Sequence, residues 1–185
     1  MKDTDSIAAK SKTERPRFRL FRFVPESRQF LLILCIFLAS IGSYFLISRF
    51  LIMAVEIKGV SMNPTLIDGD RYLLYRCTYF WRTPRKGEIV VIKDPQDHGL
   101  SIKRIVALPE DTVEIRRDGV YVNQYKLSEP YLSPSAVKAS GETPVSPTKL
   151  GKNSYFVLGD NRSKSFDSRY YGAVQRHEIL GYISK

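Results

Sequence analysis

Two serines and a lysine carry the chemistry open to this chain. In Gly59-Val60-Ser61-Met62-Asn63-Pro64-Thr65-Leu66 a serine stands between a permissive glycine and a proline that fixes φ. Such a turn can hold a hydroxyl outward as a nucleophile, and it serves equally well as an ordinary polar turn. Ser101-Ile102-Lys103-Arg104-Ile105-Val106-Ala107-Leu108 reads as a strand whose alternation puts Lys103 on one face with Ile105 and Ala107. An ammonium on an apolar face loses its water and its pKa falls, as a general base working near neutrality requires. In an exposed strand both Lys103 and Arg104 would be solvated charges. A second polar stretch runs from Gly159-Asp160-Asn161-Arg162 through Ser165 to Asp167-Ser168-Arg169. Its acids and arginines alternate, so internal salt bridges would brace the loop and aim Ser165.

Other catalytic sets lack their parts. A serine triad needs a histidine, and the two in the chain, His98 and His177, lie outside these polar motifs. Their separation, without paired His/Cys spacing, indicates no metal site. Asp160 and Asp167 are poor partners in a proton-sharing dyad, because Arg162 and Arg169 beside them favour the ionised form. Serine with lysine is what remains, and it needs no cofactor.

These residues require a β framework. Arg71–Tyr75, Ile89–Ile92, Ser101–Leu108, Thr112–Ile115, Val120–Val122, Ser154–Leu158 and Gly181–Ile183 read as strands, with turn signals at Asp68-Gly69-Asp70 and Asp118-Gly119. Thr78-Tyr79-Phe80-Trp81-Arg82 is either a hairpin tip on the core or an aromatic cluster at membrane–water depth. Residues 128–152 hold Pro130, Pro134, Pro144 and Pro147 among serines, threonines and lysines, and read as a loop-rich excursion.

Ahead of the strands, Gln29 to Ser48 carries no formal charge and is long enough for a ~30 Å hydrocarbon core. A cleaved secretory signal usually has a shorter apolar core and no long basic lead. The reading is therefore a basic cytoplasmic tail over 1–28, a transmembrane anchor over 29–53 and a catalytic β domain over 54–185. The net charge of +10 is weighted to that tail, which has eight Lys/Arg against four acids. Basic residues flanking a span stay cytoplasmic, which puts the β domain outside. Arg17 to Phe23 interleaves arginine with aromatics, a pattern that suits anionic headgroups beside a span as well as nucleic acid. Beside a span the lipid reading is preferred, and no nucleic-acid partner is assigned. Cys35 and Cys77 define no disulfide framework.

In this order the boxes resemble bacterial type I signal peptidase, a membrane-anchored serine endopeptidase that removes signal peptides from exported proteins. The resemblance rests on residues 59–66, Gly69 to Leu74, Lys86 to Val91, Lys103 to Asp111, and Gly159 to Arg169. It implies a compact, mainly antiparallel β domain behind one N-terminal transmembrane helix. Ser61 is then the nucleophile, Lys103 the base, Ser165 the hydroxyl that orients the amine, and Asp167 and Arg169 structural supports of the Ser165 loop. The Ser61 backbone N–H is the first oxyanion donor. The second is open, because Gly59 stands where some relatives have a serine. Glu110 replaces a frequent glycine before Asp111.

The resemblance also implies a substrate bound as an added strand between segments 56–60 and 101–103, cut after small residues of the Ala-x-Ala type. It implies a monomer in the bacterial inner (plasma) membrane, with preprotein signal peptides and the lipid bilayer as partners. Two rivals predict other things. A self-cleaving repressor shares the dyad but predicts a DNA-binding domain, and a signal-peptide-binding module tolerates loss of Ser61 and Lys103.

Overall fold

The computed structural model describes residues 26–50, 52–96 and 98–184. The tail assigned to 1–28, with its arginine–aromatic run, therefore lies almost entirely outside the described residues. Helix α1 spans Glu26–Phe50. Within it Ser27–Ile47 is long and apolar enough to cross a membrane, and large apolar side chains such as Phe30, Phe37 and Phe45 are exposed. The helix stops at Phe50, and Ile52 and Met53, which the sequence reading assigns to the anchor, lie in the first strand.

The rest is antiparallel β. Strands β1 (Ile52–Glu56), β2 (Arg71–Tyr75), β3 (Ile89–Lys93), β4 (Leu100–Ala107), β9 (Ser154–Leu158), β10 (Val174–Gln175) and β11 (Ile179–Ser184) form a seven-stranded sheet in the order β1-β2-β11-β3-β4-β9-β10. Strands β5 (Thr112–Arg116), β6 (Gly119–Val122), β7 (Tyr125–Lys126) and β8 (Val145–Lys149) form a second sheet in the order β7-β6-β5-β8. The mainly β, antiparallel class implied by the sequence is what the chain adopts.

Strand β3 shows why its apolar run is unbroken. Val90 and Ile92 enter one core with Ile105, Tyr155 and Val157, while Ile89 and Val91 enter another with Leu74, Met62 and Leu66. Each face of the strand is buried, so no polar alternation is needed. Strand β9 does the same, with Tyr155 and Val157 on one side and Phe156 and Leu158 against the second sheet. Strand β4 departs from simple alternation. Its pairing with β9 shifts between Ile105 and Ala107, so Ala107 joins the core beneath the second sheet and leaves the face that Lys103 shares with Ile105.

Residues 128–152 hold more structure than their prolines imply. Helix α3 (Pro134–Ser140) starts with Pro134 in its first turn and Ser133 as the cap that accepts from Ala136 N, and β8 pairs with β5. Pro130, Pro144 and Pro147 thus sit around and within short elements, and Leu150 is buried. Glu110, where a glycine is frequent, has a positive φ of 67° in the turn before β5.

Candidate active site

Ser61 sits in the connection between β1 and β2. Hydrogen bonds from Ile57 N to Asp70 O and from Gly69 N to Ile57 O, both 2.9 Å, close the base of this excursion. Met62 and Leu66 are fully buried in the core beneath it and pin the turn from below. Its upper side is held by Asn161, whose backbone N donates to Ser61 O (2.9 Å) and whose Nδ2 donates to Val60 O (3.0 Å). Gly59 has φ +98°, a region open to glycine, and its N–H is taken by Asp68 Oδ1 at 2.8 Å. Among the described residues the Ser61 N–H has no acceptor.

Lys103 lies in β4 and is only 4% exposed. Among the described residues its amine makes no hydrogen bond or ion pair. Burial pushes its pKa below the ordinary lysine value; the carboxylates of Asp167 and Asp94 pull the other way, and Arg169 reinforces the fall. Arg104, its neighbour on the opposite face, is buried as well. It forms a two-point pair with Asp160 (2.9 and 2.6 Å), donates to Gly87 O and stacks over the Tyr131 ring. Opposite faces of β4 therefore carry two buried basic side chains, one paired and one without a partner among the described residues.

Ser165 and the Ser61 carbonyl meet at Gly159. Arg104 faces Leu158 in the β4–β9 ladder, and these are the chain neighbours of Lys103 and Gly159. A Cβ on Gly159 would overlap Ser165 Oγ, and would lie 2.5 Å from Ser165 Cβ and 2.7 Å from Ser61 O. No side chain fits there. Among the described residues the buried Ser165 Oγ has no hydrogen-bond partner. Such a hydroxyl carries a desolvation cost that a further polar group at the site would relieve. Gly159→Ala is expected to cost about 1–3 kcal/mol of stability through overpacking. At equal folded content it should still lower kcat/KM roughly 10²-fold by displacing Ser61 and Ser165. Thermal unfolding and peptide cleavage measured on the same preparation check both numbers.

The Ser165 loop is braced partly as its alternating charges imply. Arg169 pairs with Asp167 through two bonds (2.8 and 2.9 Å), and its Nη2 also donates to Arg162 O and Ser165 O. Asp167 caps the short helix α4 (Ser168–Tyr171) and accepts from Gly159 N at 3.0 Å. The other two charges find partners outside the loop. Asp160 takes Arg104, and Arg162 takes Glu129, Ser140 Oγ (2.7 Å) and Gly159 O (2.9 Å). Glu129, Tyr131 and Ser140 come from the 128–152 segment, whose contribution the sequence does not announce.

Beside Ser61 runs an apolar groove of about 310 Å³, lined by Ile57, Met62, Leu74 and Val91 on its floor and by Ser101 and Ile102 of β4. Strand β4 pairs with β3 along Leu100–Arg104 but with β9 only from Arg104 onward. Its Leu100–Lys103 half therefore keeps an open edge. Segments 57–58 and 101–102 face each other across the groove, with Ser61 at its rim.

Comparison with known proteins gives this geometry a family. The family model for signal peptidase, peptidase S26, matches residues 27–184. A signal peptidase I of Bacillus licheniformis is 37% identical over 144 residues, covering 74% of this chain and 76% of that protein. Signal peptidase I V of Bacillus subtilis is 36% identical over 138 residues, covering 70% and 82%. A solved signal peptidase I from Enterococcus faecalis aligns at 30% identity with a TM-score of 0.47, covering 56% of this chain and 98% of that one. With the match running from α1 to the last strand, the chain belongs to the signal peptidase family, peptidase S26, and is a serine endopeptidase acting on signal peptides.

Proposed function

We propose that the cleavage runs on a Ser61/Lys103 dyad. The observation that carries this reading is the buried Lys103 amine, which has no counter-ion bond to hold it protonated. The neutral amine takes the Ser61 Oγ proton as the hydroxyl attacks the scissile carbonyl. The Ser61 N–H donates to the oxyanion, and with Gly59 lacking a side-chain donor a second backbone N–H or a water completes the hole. Lys103 then passes the proton to the leaving amine. The acyl group on Ser61 is released by a water that gives its proton to the same lysine, which returns it to Ser61 Oγ as the carboxyl product leaves. Ser165 Oγ orients the amine without adding charge, and Asp167 and Arg169 hold the Ser165 loop.

The substrate lies along the open edge of β4 as an added strand, and the groove beside Ser61 takes small side chains at the first and third positions before the cut. The protein works as a membrane-anchored monomer, with α1 spanning the plasma membrane, its N-terminus cytoplasmic and the β domain on the outer side. Cleavage of a preprotein with alanine at both positions by the detergent-solubilised intact chain tests this. The expected product begins directly after the second alanine by mass spectrometry, and replacing either alanine by phenylalanine abolishes the cut. Binding without cleavage, or undiminished cleavage by Ser61→Ala, would refute the dyad.

A further inference from the structure

A cleft beside helix α2 (Thr78–Trp81) contains no residue of the Ser61, Lys103 or Ser165 segments. A larger one, of about 450 Å³, borders them. Asn63, Asp160 and Asn161 line it from the site, while Ser135, Lys138 and Glu142 line it from α3 and the residues just after that helix. Both sides are fixed in place. Asn161 donates to Val60 O from its side chain and to Ser61 O from its backbone, and Asp160 is gripped at two points by Arg104. Arg162 ties the same loop to the end of α3 through Ser140 Oγ at 2.7 Å.

The cleft and the apolar groove share no residue. The groove takes in Ile57, Lys58, Ser61 and Met62, whereas the cleft begins at Asn63. Strand β4 passes the groove at Ser101 and Ile102, reaches Lys103 and continues to Arg104, whose partner Asp160 lines the cleft. A substrate that fills the groove with the residues before the cut therefore leaves Ser61 on the cleft side. Extended chain covers ~3.3–3.6 Å per residue, so the second and third residues after the cut reach past the Ser61 turn. What they meet there is polar. Asn63 Oδ1 is buried with no hydrogen-bond partner among the described residues, an acceptor whose desolvation cost a donor would relieve. Lys138 and Glu142 are exposed and, among the described residues, have no ion pair.

We propose that this cleft is a subsite for the start of the mature chain, taking polar or charged side chains at the second and third positions after the cut, with Lys138 and Glu142 reading their charge. The inference rests on the placement of Ser61 as the nucleophile. An unpaired ammonium and an unpaired carboxylate on one rim admit either sign and favour neither, while a large apolar side chain would strip both of water without replacing it. The two sides of Ser61 are thereby selective in opposite ways: an apolar groove reads small residues before the cut, and a polar cleft reads hydrophilic ones after it.

The detergent-solubilised intact chain would be given peptides that share one Ala-x-Ala site and carry glutamate, lysine, serine or leucine at the second and third positions after the cut. Glutamate, lysine and serine peptides are expected to be cut with similar kcat/KM, and the leucine peptide severalfold more slowly. Lys138→Glu should raise the lysine-to-glutamate ratio of kcat/KM severalfold and Glu142→Lys should lower it, both shifts shrinking at high salt. Each ratio is taken within one preparation, so the fraction of folded enzyme cancels. A ratio unmoved by either substitution would overturn the cleft as a substrate site while leaving the Ser61 assignment intact. Leucine cut as fast as serine would overturn its polar selectivity. No cut in any peptide would remove the Ser61 placement and the cleft's role with it.

Discussion

Lys103→Met is expected to remove cleavage without unfolding the protein. A positioned base contributes typically 10²–10⁴ in rate, so kcat/KM for a preprotein should fall by at least ~10³ when the base of a serine nucleophile is lost. Ser61→Ala should fall as far, and the double variant no further, because the two residues act as one unit. Stability moves the opposite way. Met keeps the length of the lysine stem but has no ammonium to desolvate, and Lys103 has no hydrogen bond or ion pair among the described residues to forfeit. The folded-state pKa of Lys103 lies below its unfolded value of ~10.4, so between the two the unfolded chain binds more protons. The cost of burying the charge is therefore full below the folded pKa and is relieved as pH rises toward ~10.4. The advantage of Lys103→Met in chemical denaturation should be greatest at low pH and shrink across that window. A variant that loses activity and also unfolds would show that the lysine supports the core instead.

The largest loss of stability is expected from Arg162→Ala. The Arg162 side chain is completely buried, and its guanidinium joins Glu129, Ser140 Oγ and the Gly159 carbonyl. Removing it leaves the Glu129 carboxylate, itself almost fully buried, without its partner, at about 3–5 kcal/mol. It also frees the 128–152 segment from the turn that carries Gly159. The double change Arg162→Met with Glu129→Leu should recover much of that stability, since no buried charge remains unpaired. Activity of the double variant, measured at equal folded content, should stay depressed, because the Gly159 carbonyl has still lost its donor. Recovery of both stability and activity would show that the ion pair fills space and positions nothing.

Much of this was legible in the residues. The strands at 71–75, 89–93, 112–116 and 154–158 announce themselves through β-branched and aromatic runs between turn signals, and local pattern is enough for that. Lys103 was legible because alternation in β4 sets it on a face with Ile105. The bulge that carries Ala107 elsewhere leaves no mark in composition. Gly159 reads as an ordinary strand-ending glycine. Its role depends on Ser61 and Ser165 arriving from distant parts of the chain. The Arg104–Asp160 and Arg162–Glu129 pairs were hidden for the same reason: alternating signs within 160–169 invite a local pairing, and only the Asp167–Arg169 half is local. The short elements within 128–152 are hidden by its prolines, which read as breakers although Pro134 occupies the first turn of α3, where a missing N–H costs nothing.

The pH dependence of kcat/KM tests most directly whether a lysine made neutral by burial serves Ser61. With a preprotein whose own groups do not titrate in the range, the rate is expected to rise through one apparent pKa well below ~10.4 and then level off. The same limb should be absent from the residual activity of Lys103→Met. A rate that keeps climbing to ~10.4, or a limb that persists in the variant, would contradict the assignment of Lys103 as the base.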